Sequence, residues 1–302
     1  MTAPAHNKTA LPLLNGAIIF VHPPRTGGST LSRVIDWEYS PREVCDIDGR
    51  FYYWSLDRIR QWPQARLAKM RVFKGHMPFG LHKSIPQPST YITMLRDPVD
   101  RTISEYYARR YRRSHPIADR DAKRLTFDEY IKQVPYNNPQ TKALAGVEVP
   151  CLYHFYSMLP SYRLYSAPCT TETLDRAKAN LVQYFRLVGL TDRFDETLAL
   201  AKILFGWKAP YYTRRRKNVR RPKVEEISSE QRSLIAEHHK FDMELYRFGA
   251  SLFSRATAAN AARVSAEVAA LRRDEDMEKV QSAYYRYGSK CRRYAIRVRC
   301  AL

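Results

Sequence analysis

The stretch AIIFVHPPRTGGST (Ala17–Thr30) decides the fold. Ala17–His22 is a short apolar run of β type. LSRVIDWEY (Leu31–Tyr39) reads as a helix, and between the two lies a turn with two glycines and three hydroxyls. A strand, a Gly-containing turn and a helix N-terminus form an anion cradle. Backbone N–H groups point at the ligand, and glycine lets it approach closely. Gly27 and Gly28 supply that freedom. Thr26, Ser29 and Thr30 add hydroxyls, and Arg25 adds a planar fork of donors. A nucleotide-triphosphate loop of the G-x-x-x-x-G-K-[ST] type needs a Lys after its last glycine, and this loop has none. The pattern suits a phosphate ester and suits Mg-ATP poorly.

Working outward, RVFK (Arg71–Lys74) and TYITML (Thr90–Leu95) read as two more short strands, each running into a polar turn. Asp97 and Pro98 open a helix that continues through VDRTISEYYARRYRR. Thr126 to Glu129 and Ser228 to Gln231 have the spacing of capping boxes, so helices start there. YFRLVGLT (Tyr184–Thr191) is a fourth strand, followed by a helical DRFDETLALAKILFG. Strands alternating with helices predict a mostly parallel sheet covered on both faces. Ligands of such sheets bind beyond the carboxyl ends of the strands. The opening loop and the turns after Lys74 and Leu95 all belong there.

Two of those turns carry chemistry. Arg96 ends a strand and Ser104 follows eight residues later in the next helix, where both can reach one anion. Lys74 and His76 follow another strand. His76 is suited to taking a proton near neutral pH and Lys74 to neutralising a leaving phosphate. His22 and His82 are the nearest rivals for the base.

Taken together, these segments resemble the sulfotransferases that use 3′-phosphoadenosine 5′-phosphosulfate (PAPS). The loop Pro24-Arg-Thr-Gly-Gly-Ser-Thr30 is similar to the family's 5′-phosphosulfate loop. Its TGG form is nearest the carbohydrate (2-O/6-O) type and related bacterial enzymes. Arg96-Asp-Pro-Val-Asp-Arg-Thr-Ile-Ser104-Glu-Tyr106 matches the 3′-phosphate motif throughout, and Lys74-Gly-His-Met-Pro78 matches the segment that carries the base. NNPQTKALAG and VGLTDRFDETLALAKILFG look like later segments of the same group, so the likeness covers roughly residues 17–253. One departure is that the family's loop Lys is Arg25 here.

The resemblance implies an α/β, P-loop-type three-layer fold over residues 1–253, with a basic helical C-terminal extension over 254–302. It implies PAPS as sulfuryl donor, no metal, and an acceptor hydroxyl on a carbohydrate. The cofactor would be held by Arg25, Thr26, Gly27, Gly28, Ser29, Thr30, Arg96 and Ser104, with Arg220 and Arg221 closing over it from a late basic loop. His76, Lys74 and Arg25 would act in the transfer. Two rivals stay open: a P-loop kinase, and a non-catalytic polyanion-binding protein on the same fold.

Bulk composition is consistent with this. The 302 residues are 44% hydrophobic, enough for one sizeable domain, and the net charge of +21 favours anionic partners. An anionic or carbohydrate acceptor is expected, with no specific nucleic acid. Tyr211–Lys223 holds seven cations and no acid, and the tail YYRYGSKCRRYAIRVRC holds six, a charge that suits a polyanion or the surface of a membrane. Five scattered cysteines without a C-x-x-C pair argue for free thiols in a reducing compartment. No apolar run reaches the ~20 residues of a membrane span or forms a signal core, so a cytoplasmic location is expected.

Overall fold

A computed structural model describes residues 16–47, 52–111, 120–133, 137–146, 168–208, 212 and 221–274. Arg220, most of the late basic loop, the basic tail, and Cys151, Cys291 and Cys300 lie outside the described residues. Among the described residues Cys45 and Cys169 form no disulfide with each other.

The strands are β1 (Ala17–Val21), β2 (Val44–Ile47), β3 (Val72–Gly75), β4 (Ser89–Leu95) and β5 (Phe185–Leu190). They form one sheet in the order β2-β3-β1-β4-β5, and every pairing is parallel. The expected parallel α/β fold is therefore present. The edge strand β2, VCDI, went unread in the sequence because four residues with one acid give little periodicity. All five residues of β1 are buried, as a central parallel strand covered on both faces requires.

The helices, in chain order, begin with α1 (Gly28–Glu38), α2 (Tyr52–Gln61), α3 (Gln64–Leu67) and α4 (Pro98–Arg110). Then come α5 (Arg120–Arg124), α6 (Phe127–Gln133), α7 (Pro139–Leu144) and α8 (Thr171–Gln183). The last are α9 (Phe194–Phe205), α10 (Ser229–His238), α11 (Lys240–Ala258) and α12 (Ala261–Asp274). Their starts follow local chemistry. The Asp97 side chain accepts from Asp100 N–H to cap α4, and reciprocal capping boxes form at Thr126 and Ser228.

Two glycines show how the layers close on β5. A Cβ on Gly189 would lie 2.3 Å from Thr197 of α9, and one on Gly249 of α11 would lie 2.4 Å from Leu95 and 3.4 Å from Val188. Val188 and Gly189 are neighbours on one strand, so they face opposite sides. Helices α9 and α11 thus sandwich β5. A second apolar cluster joins Val99, Ile103 and Tyr106 of α4 to α6 and Ile235 of α10, which fixes the rotation of α4 and with it the direction of Ser104.

Helix α11 runs without a break across Phe253 to Ala258. Val264 and Leu271 of α12 are buried in the same core as the sheet, and Lys202 of α9 pairs with Glu267 at 2.5 Å. No helix among the described residues is long and apolar enough to cross a membrane.

Candidate functional site

The carboxyl ends of β1, β3, β4 and β5 meet the loop that follows β1. His22 N–H donates to Gly75 C=O at 3.0 Å, carrying the β1–β3 pairing one residue further. The loop then turns sharply, with Arg25 at φ 71° and Gly27 at φ 77°. Arg25 is one of two non-glycine residues with positive φ among the described residues, a conformation that costs about 1–3 kcal/mol and persists where surroundings impose it. Thr26 donates from its hydroxyl to Pro23 C=O at 2.7 Å and is fully buried, so that hydroxyl holds the loop's shape. Thr191, just past β5, donates to Thr26 C=O at 2.7 Å and Leu95 C=O at 3.0 Å, tying the loop to β4 and β5.

Gly28 opens α1, and its missing side chain has a reason. A Cβ there would sit 2.2 Å from Cδ2 and 2.4 Å from Nε2 of His22. The His22 ring fills that space, stacked on Phe20 at 5.3 Å and tilted against His76 at 4.4 Å. The N-cap of α1 is Gly27, which offers no side-chain cap to the first-turn N–H groups. Ser29 and Thr30 stand in this first turn, where the sequence reading expects an anion.

Arg25, Arg96 and Ser104 come together. Arg25 donates from Nη2 at 3.0 Å and Nε at 3.3 Å to Ser104 Oγ. Arg96 Nη1 donates to Arg25 C=O at 2.9 Å. Arg96 Nε pairs with Asp100 at 2.6 Å, and Arg221 Nη1 reaches the other oxygen of the same carboxylate at 2.5 Å. Burial would raise the Asp100 carboxyl, but its hydrogen bonds and attraction to Arg96 and Arg221 win and hold it below the usual range. Burial lowers the Arg96 pKa, opposed by Asp100. Next to Ser104, burial would raise Glu105, but the charges of Arg109, Arg101 and Arg25 bring it down to about 2. Five guanidiniums around two carboxylates leave an excess of positive charge at this end of the sheet.

His76 is also at this end. Its Nδ1 lies 2.7 Å from the His22 carbonyl oxygen. A carbonyl only accepts, so Nδ1 carries the proton, and in neutral His76 the lone pair is on Nε2. His82 is elsewhere: its Nδ1 lies 2.7 Å from the Tyr91 hydroxyl, near the start of β4.

The Lys74 ammonium, which the sequence reading places beside a leaving phosphate, is 1% exposed and pairs with Asp36 of α1 at 2.6 Å, with Ser32 Oγ at 2.7 Å and Asp46 of β2 at 3.9 Å. It pins α1 to the sheet. Sequence reading missed Asp100 and Thr191 as site-building residues. Asp100 lay within the quoted motif, but nothing local marks a carboxylate as the bridge between two arginines.

The comparisons bear on this arrangement. The chain is 26% identical over 216 residues to a heparin sulfate O-sulfotransferase of Drosophila melanogaster, covering 65% of this chain and 56% of that protein. It is 23% identical over 216 residues to a heparan sulfate 2-O-sulfotransferase of Caenorhabditis elegans, covering 64% and 61%. The chain thus spans less than two thirds of the length of these relatives. A galactose-3-O-sulfotransferase family match covers residues 60–289, taking in β3, β4, β5, His76, Arg96 and Ser104. By that match, which extends over well more than half of its length, the chain belongs to the galactose-3-O-sulfotransferase family.

Proposed function

We propose that the protein is a PAPS-dependent sulfotransferase that sulfates a hydroxyl of a carbohydrate. The observation that carries this reading is the convergence of His76, Arg25, Arg96 and Ser104 at the carboxyl ends of adjacent parallel strands, beside the uncapped N-terminus of α1. Two anion subsites and one oriented base fit a nucleotide with two anionic groups and an acceptor hydroxyl.

PAPS, when bound, would supply the sulfuryl group and a stable leaving group, adenosine 3′,5′-bisphosphate. The first-turn N–H groups of α1 and the hydroxyls of Ser29 and Thr30 suit its 5′ end. Arg96, Ser104 and the Arg25 fork suit its 3′-phosphate, with Arg221 joined to them through Asp100. His76 Nε2 takes the proton of the acceptor hydroxyl while the Nδ1 hydrogen bond to His22 C=O holds the ring in that tautomer. Arg25 stands where a compact Lys charge stands in relatives. Its fork reaches Ser104, so one side chain links the two anion subsites. An acidic glycan acceptor suits the net charge of +21 and the acceptors named for the two relatives.

The test is calorimetry at moderate salt with adenosine 3′,5′-bisphosphate and ADP, followed by transfer of labelled sulfate from PAPS to glycans. Tight 1:1 binding of the bisphosphate and weak binding of ADP are expected, with Arg96→Ala lowering bisphosphate affinity towards that of a nucleotide without the 3′-phosphate. Equal binding of both nucleotides, falling steeply with salt, would favour a polyanion-binding protein instead.

A further inference from the structure

A buried polar network that the reaction above does not use ends on Arg96. The last paired residues of β4 and β5 are Leu95 and Leu190. Arg96 therefore lies one residue beyond the ladder, where its N–H and C=O have no strand partner. The side-chain amide of Gln140 takes the strand's place. Arg96 N–H donates to Gln140 Oε1 at 3.0 Å, and Gln140 Nε2 donates to Arg96 C=O at 3.0 Å.

Gln140 is itself fully buried in the first turn of α7, and one carboxylate holds that turn. Asp242 of α11 accepts from Gln140 N–H at 3.2 Å and from Thr141 N–H and Oγ1 at 2.7 Å each. Gln140 Nε2 stands 3.5 Å from the same carboxylate. The N-cap of α7, Asn138, makes no side-chain cap to its own helix, so Asp242 provides the missing acceptor from 102 residues away. The amide orientation follows: Oε1 faces the Arg96 donor and Nε2 faces two acceptors.

We propose that Gln140, oriented by Asp242, is the positioning residue that sets Arg96 for the 3′-phosphate of the nucleotide. The inference rests on the sulfotransferase reading. The Arg96 side chain is tied at its far end to Asp100 and Arg25 C=O, and the Gln140 clamp fixes its root. With both ends held, the guanidinium meets a phosphate without reordering. Sites of this kind lose function when displaced by about 1 Å, at a cost of roughly 10- to 100-fold.

The experiment measures one ratio by calorimetry: affinity for adenosine 3′,5′-bisphosphate over affinity for adenosine 5′-monophosphate, which lacks the 3′-phosphate. Gln140→Leu puts in an apolar branched side chain one atom shorter and removes the clamp. It is expected to lower the ratio at least about tenfold and leave affinity for the monophosphate within about twofold. In an Arg96→Ala background the same substitution should change the ratio no further. Asp242→Asn is the second variant, usable if Gln140→Leu does not fold. Its oxygen still caps through Thr141, but its NH₂ meets the two donors of Gln140, so the ratio should fall here too. A folded variant that keeps the wild-type ratio overturns the inference. So does equal loss of both nucleotides, or a further fall of the ratio without Arg96. A wild-type chain that binds both nucleotides alike overturns the functional reading itself, a result distinct from the others.

Discussion

Replacing Lys74 by Met separates a structural role from a catalytic one. Lys74 and Asp36 are each 1% exposed, 2.6 Å apart, with Asp46 at 3.9 Å. Met keeps the length of the stem and removes the charge, so the buried Asp36 loses the Lys74 ammonium from its surroundings. Breaking a buried pair in this way costs about 3–5 kcal/mol. For a chain of this size each kcal/mol moves Tm by about 2–4 °C, so a drop of roughly 10 °C is expected. Adding Asp36→Asn removes the carboxylate charge. The double variant should recover about 1–3 kcal/mol, a coupling typical of contacting residues. The assay is thermal unfolding followed by circular dichroism for the wild type, both single variants and the double, with PAPS turnover measured well below each Tm. Turnover of folded Lys74→Met should stay within about tenfold of wild type, far above the 100-fold or larger loss seen when a group acting on the reacting atoms is removed. An unchanged Tm with turnover down by about 100-fold would refute the argument and return Lys74 to the chemistry.

Three further outcomes are expected. His76→Ala should lower kcat by about 100- to 10,000-fold with affinity for adenosine 3′,5′-bisphosphate within twofold; a loss below tenfold would place the base elsewhere. Gly28→Ala puts a Cβ 2.2 Å from the His22 ring, which should cost about 1–3 kcal/mol by overpacking and weaken nucleotide binding, read by a melt and by calorimetry. His239 is buried, and burial brings its pKa down to about 3, with its Nδ1 accepting from Asn138 N–H at 3.1 Å. The folded chain keeps it neutral while the unfolded chain takes a proton below about pH 6.5. Stability should therefore fall as pH drops from about 6.5 towards 3, by up to about 1.4 kcal/mol per pH unit from this group. Denaturant unfolding at pH 7 and pH 5 should show that loss, smaller in His239→Gln, whose amide oxygen can accept the same N–H.

Reading the sequence was most informative where structure is local. The run into Pro23, the glycines of the loop, the Asp97-Pro98 helix start and the capping boxes at Thr126 and Ser228 each depend on neighbours within a few residues. All were legible. The edge strand β2 was not, since four residues next to a turn carry no clear period.

By itself the sequence determined a parallel α/β chain with a glycine loop after its first strand and with His76 and Arg96 just past the ends of two others, because period, glycine placement and caps act along the chain. The tertiary structure decided what each polar side chain meets. Lys74 finds Asp36, 38 residues away, and joins the sheet to α1. Arg25 folds over onto Ser104 and ties the loop after β1 to α4. Arg96 receives its backbone partner from Gln140 and, through it, from Asp242. A buried charge or amide must find its partner within about 3 Å. Which residue stands there depends on how sheet and helices pack, not on spacing along the chain.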